Sequence, residues 1–334
     1  MKTILLAGGG TAGHVMPNIA LLPYLKNHFD KIYYLGEKES FEEKAARNHG
    51  IDFFPITAVK FRRDKLIKNL SVPHKLRRSI KEAKELISDL SPDIIFVKGG
   101  YVSLPVALAG KELDIPVVCH ESDRSMGLAN KIIALFARAI ITSWEGTHKK
   151  EMVMGNPIRD CIFDSKEIPY PFKEKQPIVL VTGGSTGAKI INDALEETVK
   201  LLPCFNFCHI CGKSPINLSA RNYYSIDYTD NIQNYYNIAD IVVCRGGACT
   251  LSELTALGKR VLCIPLPKGV SRGDQQENAL WYKSRNMIKV LQQDELTPNN
   301  LAEAIKECEI LPPTKPFYNK NTSKNIADFL AVLL

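Results

Sequence analysis

Residues 4–17 read ILLAGGGTAGHVMP, in which a short apolar run is followed by glycines, a histidine and a proline. The apolar run predicts a β-strand, and Pro17 predicts the opening of a helix. Gly8, Gly10 and Gly13 lie between them and fit the dinucleotide-binding pattern G-x-G-x-x-G. Glycines let backbone N–H groups approach a phosphate, and the N-terminus of a helix favours an anion. A tight turn without a ligand has the same pattern, so the stretch predicts a strand–turn–helix unit and leaves its ligand open.

The composition is that of a globular, soluble protein of 334 residues, which is enough for about two domains. A formal net charge of +7 suggests an anionic partner. The nine cysteines lack the spacing of a disulfide framework and indicate a reducing cytoplasm. Cys208 and Cys211 form a C-x-x-C in a predicted strand, where packing explains them better than metal binding. We expect neither a signal peptide nor a membrane-spanning segment, because the apolar runs are too short.

Strand and helix patterns alternate along the chain and then start over. The strands are predicted at residues 4–6, 32–35, 53–56, 94–97, 117–119, 139–142, 178–182, 207–210, 241–244 and 261–264. Helical patterns include residues 18–28, 42–48, 76–90 and 188–202. This alternation predicts an α/β fold of parallel, doubly wound sheets with ligands at the carboxyl ends of the strands. A polar, proline-containing stretch after Asp160 predicts a linker, and hence two domains with a cleft between them.

Three more glycine turns follow predicted strands, at residues 99–100, 183–187 and 246–247. Each could offer N–H donors to an oxyanion, which suits two substrates that both carry diphosphates. Polar residues beside them allow two interpretations each. Ser185 could bind phosphate or cap a helix, and Glu253 could bind a ribose diol or face a helix dipole. Arg159, Gln275 and Gln276 could contact a phosphate and sugar hydroxyls, or could be ordinary surface residues.

Residues 60–84 carry ten lysines or arginines against two acidic residues, interleaved with aliphatic residues. The segment could be a solvated face whose apolar residues pack inward. Cations around exposed aliphatic residues also suit an anionic membrane, where each basic residue contributes about 1 kcal/mol. Nucleic acid would favour stacking aromatic residues, and Phe61 is the one aromatic residue in the segment. We therefore predict a membrane patch formed by Arg62, Arg63, Leu66, Ile67, Leu70, Lys75, Leu76, Arg78 and Ile80.

Taken in order, the motifs of this chain resemble those of the MurG family of N-acetylglucosaminyltransferases. They are GGTAGH (9–14), GGYVS (99–103), HE (120–121), GLANK (127–131), GNPIR (155–159), GGSTGA (183–188), CRGGACTLSE (244–253) and QQENA (275–279). Each motif alone is weak evidence, but the whole set in this order is specific for the family and extends over nearly the whole chain. The chain departs from the family pattern at Ala12, Thr186 and Asp123, where a glycine, a glutamine and an asparagine are common.

The resemblance implies a GT-B fold, in which two Rossmann-like, doubly wound parallel-sheet domains face each other across a cleft. It places an acceptor-binding, membrane-docking domain at residues 1–160 and a donor-binding domain at 161–320. A last helix at 321–334 packs back on the first domain. The implied reaction is an inverting transfer of N-acetylglucosamine from UDP-N-acetylglucosamine to the C4 hydroxyl of lipid-linked N-acetylmuramyl-pentapeptide. This step converts lipid I to lipid II in peptidoglycan synthesis.

The same resemblance implies a peripheral protein on the cytoplasmic face of the bacterial membrane, attached to anionic lipid and not to nucleic acid. UDP-N-acetylglucosamine is a substrate, and neither a cofactor nor a metal site is expected. The implied donor contacts are Thr11, Ala12, Gly13, Arg159, Ser185, Thr229, Ala248, Cys249, Thr250, Leu251, Ser252, Glu253, Gln275 and Gln276. Glu253 would bind the ribose, and Gln276 the amino sugar. The acceptor diphosphate would contact Gly10, Gly13, Gly100, Tyr101 and Asn130.

An inverting displacement needs a base at the acceptor hydroxyl and positive potential at the departing diphosphate. His14 is the first candidate base because an unperturbed imidazole titrates near neutral pH, and Glu121 is the alternative. Two other functions remain open. A GT-B relative could act on another lipid or epimerise a UDP-sugar. A dinucleotide-dependent oxidoreductase would use the first turn, with Glu37 or Glu39 on a ribose.

Overall fold

The computed structural model describes residues 1–58, 72–184, 187–313, 316–317 and 321–334. The chain divides into two compact units. Unit 1 comprises Met1–Arg159 and Asn319–Leu334, and unit 2 comprises Asp160–Tyr318. The change between units after Arg159 lies one residue from the domain boundary that the sequence places after residue 160.

Unit 1 contains a seven-stranded parallel sheet in the order β3-β2-β1-β4-β5-β6-β7. The strands are β1 (Thr3–Ala7), β2 (Lys31–Gly36), β3 (Asp52–Pro55), β4 (Ile94–Val97), β5 (Val117–Glu121), β6 (Ala139–Thr142) and β7 (Glu151–Val153). The order of strands reverses between β1 and β4, which is the point where such sheets bind ligands. The glycine turns at residues 8–13 and 99–100 follow these two strands.

The helices of unit 1 cover both faces of this sheet. They are α1 (Ala12–Leu25), α2 (Phe41–Asn48), α3 (Val72–Leu90), α4 (Ser103–Glu112), α5 (Leu128–Ile133) and the final helix α11 (Thr322–Val332). Successive residues of a strand face opposite ways. Ile4 and Leu6 accordingly join a core with α1, α2 and α11, whereas Leu5 and Ala7 join a core with α3 and α4. The last helix therefore completes the core of the first unit.

Unit 2 repeats the design with a six-stranded parallel sheet in the order β10-β9-β8-β11-β12-β13. Its strands are β8 (Ile178–Thr182), β9 (Asn206–Ile210), β10 (Tyr223–Ile226), β11 (Ile241–Cys244), β12 (Arg260–Cys263) and β13 (Lys289–Val290). Its helices are α6 (Lys189–Leu201), α7 (Ile232–Ile238), α8 (Ala248–Ala256), α9 (Asp274–Lys283) and α10 (Pro298–Ile310). The prediction of two Rossmann-like parallel-sheet domains is confirmed.

The structure corrects the predicted start of α1. The helix begins at Ala12 rather than at Pro17, and Pro17 and Pro23 lie inside it. Proline has no backbone N–H, so Pro17 at the sixth position of the helix removes one intrahelical hydrogen bond. As a result His14 lies in the first turn of α1, and not in the loop before it.

The structure also shows short edge strands that the sequence pattern does not predict, and a linker that is packed on unit 2. The edge strands β7, β10 and β13 were not predicted, and they contain three, four and two residues. Within the predicted linker, Phe172 is buried and the Lys166 N–H donates to Asn234 of unit 2, so this segment packs on unit 2. Across the described ranges, no helix combines the length and apolarity that crossing a bilayer requires.

Candidate active site

The first glycine turn and the first turn of α1 place His14 at the carboxyl end of β1. Its Nδ1 lies 3.1 Å from the Gly9 carbonyl oxygen and 3.1 Å from Thr11 Oγ1. A carbonyl oxygen only accepts, so the contact with Gly9 is a hydrogen bond when Nδ1 carries the proton. In the neutral ring the basic lone pair then belongs to Nε2. This tautomer makes the half-buried His14 suitable as a proton acceptor through Nε2.

The turns after β1 and β4 lie against each other. Gly100 has φ +81°, and a Cβ there would lie 2.4 Å from the Gly9 carbonyl oxygen and 3.3 Å from His14 Nδ1. Gly10 has φ +86°, and a Cβ there would lie 2.5 Å from the Tyr101 ring. The Tyr101 hydroxyl donates to Glu37, and burial with that carboxylate raises the pKa of Tyr101. The structure thus brings together the predicted acceptor contacts Gly10, Gly100 and Tyr101 with His14.

A buried carboxylate that the sequence analysis missed supports the first turn. Glu42 on α2 is 1% exposed, and its oxygens lie 3.4 Å from the N–H nitrogens of Gly10 and Glu37. Its sequence position in the first turn of a helix suggests only a partner for the helix dipole. The contact with Gly10 needs β1 and β2 to be neighbours, which the sequence alone does not state.

The carboxylate of Glu121 holds the loop that follows β5. One oxygen accepts from the Asp123 N–H at 3.0 Å. The other accepts from the Gly127 N–H at 2.9 Å and from Asn130 Nδ2 at 3.0 Å. Glu121 is 4% exposed, and Asn130 is also buried. Three donors stabilise the ionised carboxylate and hold it in place, which favours a loop-anchoring role over proton transfer.

A second buried network, also missed from sequence, lies at the carboxyl ends of β4 and β5. Lys98 is 1% exposed, and its Nζ lies 2.6 Å from His120 Nδ1 and 2.7 Å from Ser122 Oγ. His120 Nε2 donates to the Gly155 carbonyl oxygen at 2.9 Å, and Ser122 Oγ donates to Asn156 Oδ1 at 2.8 Å. Burial and the Lys98 charge hold the pKa of His120 well below its usual range, so the ring is neutral. The register pairs Val97 with Cys119, so the next residues along, Lys98 and His120, become neighbours.

In unit 2, a buried histidine links α6 to β10. Ser185 and Thr186 of the turn after β8 lie outside the described residues. His209, in β9, contacts Asn192 Oδ1 at 3.1 Å and the Tyr223 hydroxyl at 2.8 Å. Asn192 Nδ2 in turn donates to the carbonyl oxygens of Cys211 and Ser214, at 2.9 and 2.7 Å. Burial lowers the pKa of His209 to about 4, so the histidine is neutral at physiological pH.

The glycine pair at residues 246–247 lies at the start of α8. Gln275 Oε1 accepts from the N–H groups of Gly246 and Leu266, at 3.2 and 3.1 Å. The side-chain amide of Asn278 donates to the Gly246 carbonyl oxygen at 3.1 Å. Gln275 therefore holds the turn through its oxygen, a role that sequence reasoning did not foresee for a predicted sugar contact.

The predicted donor residues on α8 differ in exposure. Cys249, Thr250 and Glu253 are half-buried, whereas Ala248, Leu251 and Ser252 are buried. Gln276 is half-buried in the first turn of α9. Thr229 is half-buried after β10, where its Oγ1 accepts from the Asn231 N–H at 3.0 Å. Arg159 is half-buried at the end of the first segment of unit 1. In the same unit, Thr11 is the N-cap of α1, and Ala12 and Gly13 are its first residues.

The C-x-x-C of Cys208 and Cys211 lies in and directly after β9. Among the described residues, no group of three or more metal-ligating side chains is suitably placed to hold an ion. Cys208 is buried inside β9 and Cys211 is buried directly after it. Burial raises the pKa of Cys208 to about 12, which suits strand packing rather than redox chemistry.

Comparison with known proteins identifies the enzyme class. The model of the glycosyltransferase family 28 N-terminal domain matches residues 4–142, and that of the family 28 C-terminal domain matches residues 178–332. A Clostridium botulinum (strain Kyoto / Type A2) protein is 38% identical over 98% of this chain and 96% of its own length. That relative is named UDP-N-acetylglucosamine–N-acetylmuramyl-(pentapeptide) pyrophosphoryl-undecaprenol N-acetylglucosamine transferase. The chain belongs to the MurG family of glycosyltransferase family 28.

Further MurG-family and fold matches agree. A Lachnospira eligens protein of the same name is 39% identical over 92% of this chain and 91% of its own. A crystal structure of Acinetobacter baumannii MurG has a TM-score of 0.77, with 24% identity and 99% coverage of both chains. A Neisseria meningitidis UDP-GlcNAc 2-epimerase has a TM-score of 0.70 at 16% identity, with 99% of both chains covered. At these identities the two solved structures report the fold alone. Membership of the MurG family makes this chain a glycosyltransferase, and the oxidoreductase alternative falls away.

The membrane patch predicted from the charge pattern of residues 60–84 lies only partly within the described residues. Arg62, Arg63, Leu66, Ile67 and Leu70 lie outside the described residues. Lys75 and Arg78 are exposed on α3, where Arg78 pairs with Glu82 at 2.8 Å. Leu76 and Ile80 are half-buried, and Ile80 packs against the core of unit 1. The described part of the patch therefore presents charge outward and turns its apolar residues at least partly inward.

Proposed function

We propose that this chain transfers N-acetylglucosamine from UDP-N-acetylglucosamine to the C4 hydroxyl of a lipid-linked N-acetylmuramyl-pentapeptide. The product would be lipid II, the disaccharide precursor of peptidoglycan. The observation that carries the proposal is the Clostridium relative that bears this activity in its name. It matches 98% of the chain at 38% identity, so the likeness includes both units.

In the acceptor half of the proposal, unit 1 binds the lipid-linked diphosphate and removes the proton of the attacking hydroxyl. The positive-φ turns at Gly10 and Gly100, together with the N-terminus of α1, offer N–H groups for the diphosphate. His14 takes the proton through Nε2, because its Nδ1–H is directed to the Gly9 carbonyl oxygen. Glu121 remains the alternative base, although its three donors support a structural role.

In the donor half, unit 2 binds UDP-N-acetylglucosamine. The diphosphate contacts the turn at residues 183–187, and the half-buried Glu253 on α8 accepts hydrogen bonds from the ribose. Gln276 contacts the amino sugar, and Arg159 contributes positive charge to the departing UDP. Helix N-termini and backbone donors stabilise the negative charge that develops on the leaving group. The proposal includes no cofactor and no metal.

We also propose that unit 1 docks peripherally on the cytoplasmic membrane surface. The lipid-linked acceptor requires such a location, and the exposed Lys75 and Arg78 suit an anionic surface. Nucleic acid is not among the proposed partners.

The experiment is to incubate the purified full chain with UDP-N-acetylglucosamine and a lipid I analogue, and to follow both products by mass spectrometry. We expect equimolar UDP and disaccharide-linked product. Formation of UDP-N-acetylmannosamine without transfer would identify an epimerase instead. Absence of any product, together with a melting temperature unaffected by UDP, would refute the proposed function.

A further inference from the structure

We propose that Lys98 is a positioning residue for the acceptor diphosphate. Its buried ammonium belongs to a hydrogen-bond network that connects three segments at the carboxyl ends of the unit 1 strands. The inference rests on the proposed function, because it concerns the affinity for the lipid-linked acceptor. Lys98 immediately precedes the Gly99 and Gly100 turn, and its backbone N–H donates to the Ala7 carbonyl oxygen at 2.9 Å. Lys98 thus joins the two turns that are proposed to bind the diphosphate.

The hydrogen-bond directions around the Lys98 ammonium are fixed by chemistry. The Gly155 carbonyl oxygen only accepts, so the 2.9 Å contact requires a proton on His120 Nε2. In the neutral ring His120 Nδ1 is then an acceptor, which is what an ammonium 2.6 Å away requires. Ser122 Oγ donates to Asn156 Oδ1 and accepts from Lys98 at 2.7 Å. The proton positions on Lys98, His120 and Ser122 are therefore mutually consistent.

The network extends from the Lys98 ammonium to the residues that follow β5 and to the segment after β7. The Trp144 indole N–H donates to the Ser122 carbonyl oxygen at 2.8 Å, which fixes the serine backbone. Asn130 Nδ2 donates to the His120 carbonyl oxygen at 3.1 Å, so a predicted diphosphate contact lies directly on the network. From the α11 side, Ser323 Oγ donates to the Ile158 carbonyl oxygen at 3.2 Å. The network around Lys98 therefore includes residues that follow β4, β5 and β7.

Burying an ammonium is costly, and an apolar side chain of similar length would fill the same space without that cost. A lysine whose role is only to fill the core would therefore be replaceable by methionine. A lysine that orients His120 and Ser122 would not be, because methionine donates no hydrogen bond. This difference separates a positioning role from a packing role.

The test compares Lys98→Met with the control Lys200→Met, whose lysine lies on α6 of unit 2 and pairs with Glu197 at 2.7 Å. Four quantities are measured in the full chain: kcat/KM for a lipid I analogue, KM for UDP-N-acetylglucosamine, the melting temperature, and the imidazole ¹⁵N shifts of His120. For Lys98→Met we expect kcat/KM for the acceptor to fall about 10- to 100-fold, as follows from a displacement of about 1 Å. The donor KM and the melting temperature should match those of Lys200→Met. The ¹⁵N shift of His120 Nδ1 should change because this nitrogen loses its donor, whereas Nε2 should stay protonated against the Gly155 carbonyl oxygen.

Wild-type kcat/KM for the acceptor in Lys98→Met would overturn the inference. So would an equal loss for both substrates with a lower melting temperature, because that pattern indicates a merely structural lysine. If Lys98→Met does not fold, Ser122→Ala decides, since it removes an acceptor of the Lys98 ammonium. An acceptor-specific loss supports the inference, and unchanged kinetics overturn it. A wild-type protein without transfer and without a UDP-induced rise in melting temperature would refute the proposed function itself, and this inference with it.

Discussion

A Cβ on Gly100 would lie 2.4 Å from the carbonyl oxygen of Gly9, so the turns after β1 and β4 meet backbone against backbone. No side chain fits between them. Gly100 also has φ +81°, a conformation that L-residues rarely adopt. The proposed acceptor site therefore depends on the absence of one methyl group.

Gly100→Ala should destabilise unit 1 by about 3 kcal/mol or more, because the strain of positive φ adds to a clash with fixed backbone. Gly50→Ala is the matched control, since Gly50 has φ +68° with nothing within 4 Å of a Cβ. The control should lose only about 1 kcal/mol. Urea unfolding with acceptor kinetics measures both effects. Equal losses in the two variants would contradict the backbone contact.

His14→Ala should lower kcat by about 10²- to 10⁴-fold with both substrates saturating, the usual contribution of a general base. Its melting temperature should stay near that of the wild type because His14 is only half-buried. Glu121→Gln should instead lower the melting temperature and leave kcat near the wild-type value, since an amide cannot accept from all three donors. We expect it to lose about 1–3 kcal/mol of stability. Wild-type turnover in His14→Ala would exclude His14 as the base.

Much of the fold follows from local sequence pattern. The β4 strand, Ile94–Val97, was predicted with the bounds that the structure gives, because four apolar residues are followed by a lysine and a glycine turn. The β13 strand, Lys289–Val290, has two residues and thus too few for any period to appear. The start of α1 was misplaced because a proline at the sixth helical position is hard to distinguish from one in the first turn.

The site was less predictable than the fold because its unexpected members act through long-range contacts. Lys98 and His120 are 22 residues apart, and their contact depends on the β4–β5 register. Nothing local to Lys98 indicates that its ammonium is buried. Once β4 and β5 are known to be parallel neighbours, the residues after their last pair, Val97 and Cys119, identify the contact. Glu42 was missed for the same reason, since it reaches Gly10 across the β1–β2 pair.

His209 should make the stability of unit 2 depend on pH. Its native pKa of about 4 lies below the unfolded value of about 6.5. Above pH 6.5 both states are neutral and the full stability is present. As the pH falls towards 4, only the unfolded state gains the proton, so stability falls by up to about 3 kcal/mol.

The measurement is thermal unfolding of unit 2 at several pH values in wild type and His209→Asn. The variant should lose the part of the slope between about pH 6.5 and 4 that His209 contributes, because asparagine does not titrate. His49→Asn, at an exposed position in unit 1, is the control. An unchanged slope in His209→Asn would show that another group causes the dependence.

Glu253→Ala should weaken UDP binding by about 10-fold or more, because hydrogen bonds to a charged group contribute about 1.5–3 kcal/mol. Titration calorimetry with UDP and with 2′-deoxy-UDP tests the assignment to the ribose. Wild type should prefer UDP, and the variant should bind the two nucleotides more equally. Glu303→Ala, at an exposed position on α10, should behave as wild type. An undiminished preference for UDP in Glu253→Ala would remove Glu253 from the ribose site.

Lys75→Glu/Arg78→Glu should reduce binding to vesicles of phosphatidylglycerol and phosphatidylcholine. Each basic residue near an anionic surface contributes about 1 kcal/mol, so reversing two charges should cost about 10-fold or more in partitioning at low salt. Lys200→Glu is the control in unit 2. Co-sedimentation measures the bound fraction, with pure phosphatidylcholine as the uncharged surface. Equal binding by variant and control would place any membrane contact elsewhere.

The position of α11 has a consequence for synthesis on the ribosome. Ile326, Ala327 and Leu330 of this helix are fully buried in the core that β1 and α1 begin. They are translated only after all of unit 2, so unit 1 emerges first from the ribosome but completes its core last. Until then the nascent chain exposes the apolar surface that α11 will cover. Chaperones that recognise exposed apolar surface can bind unit 1 during this interval.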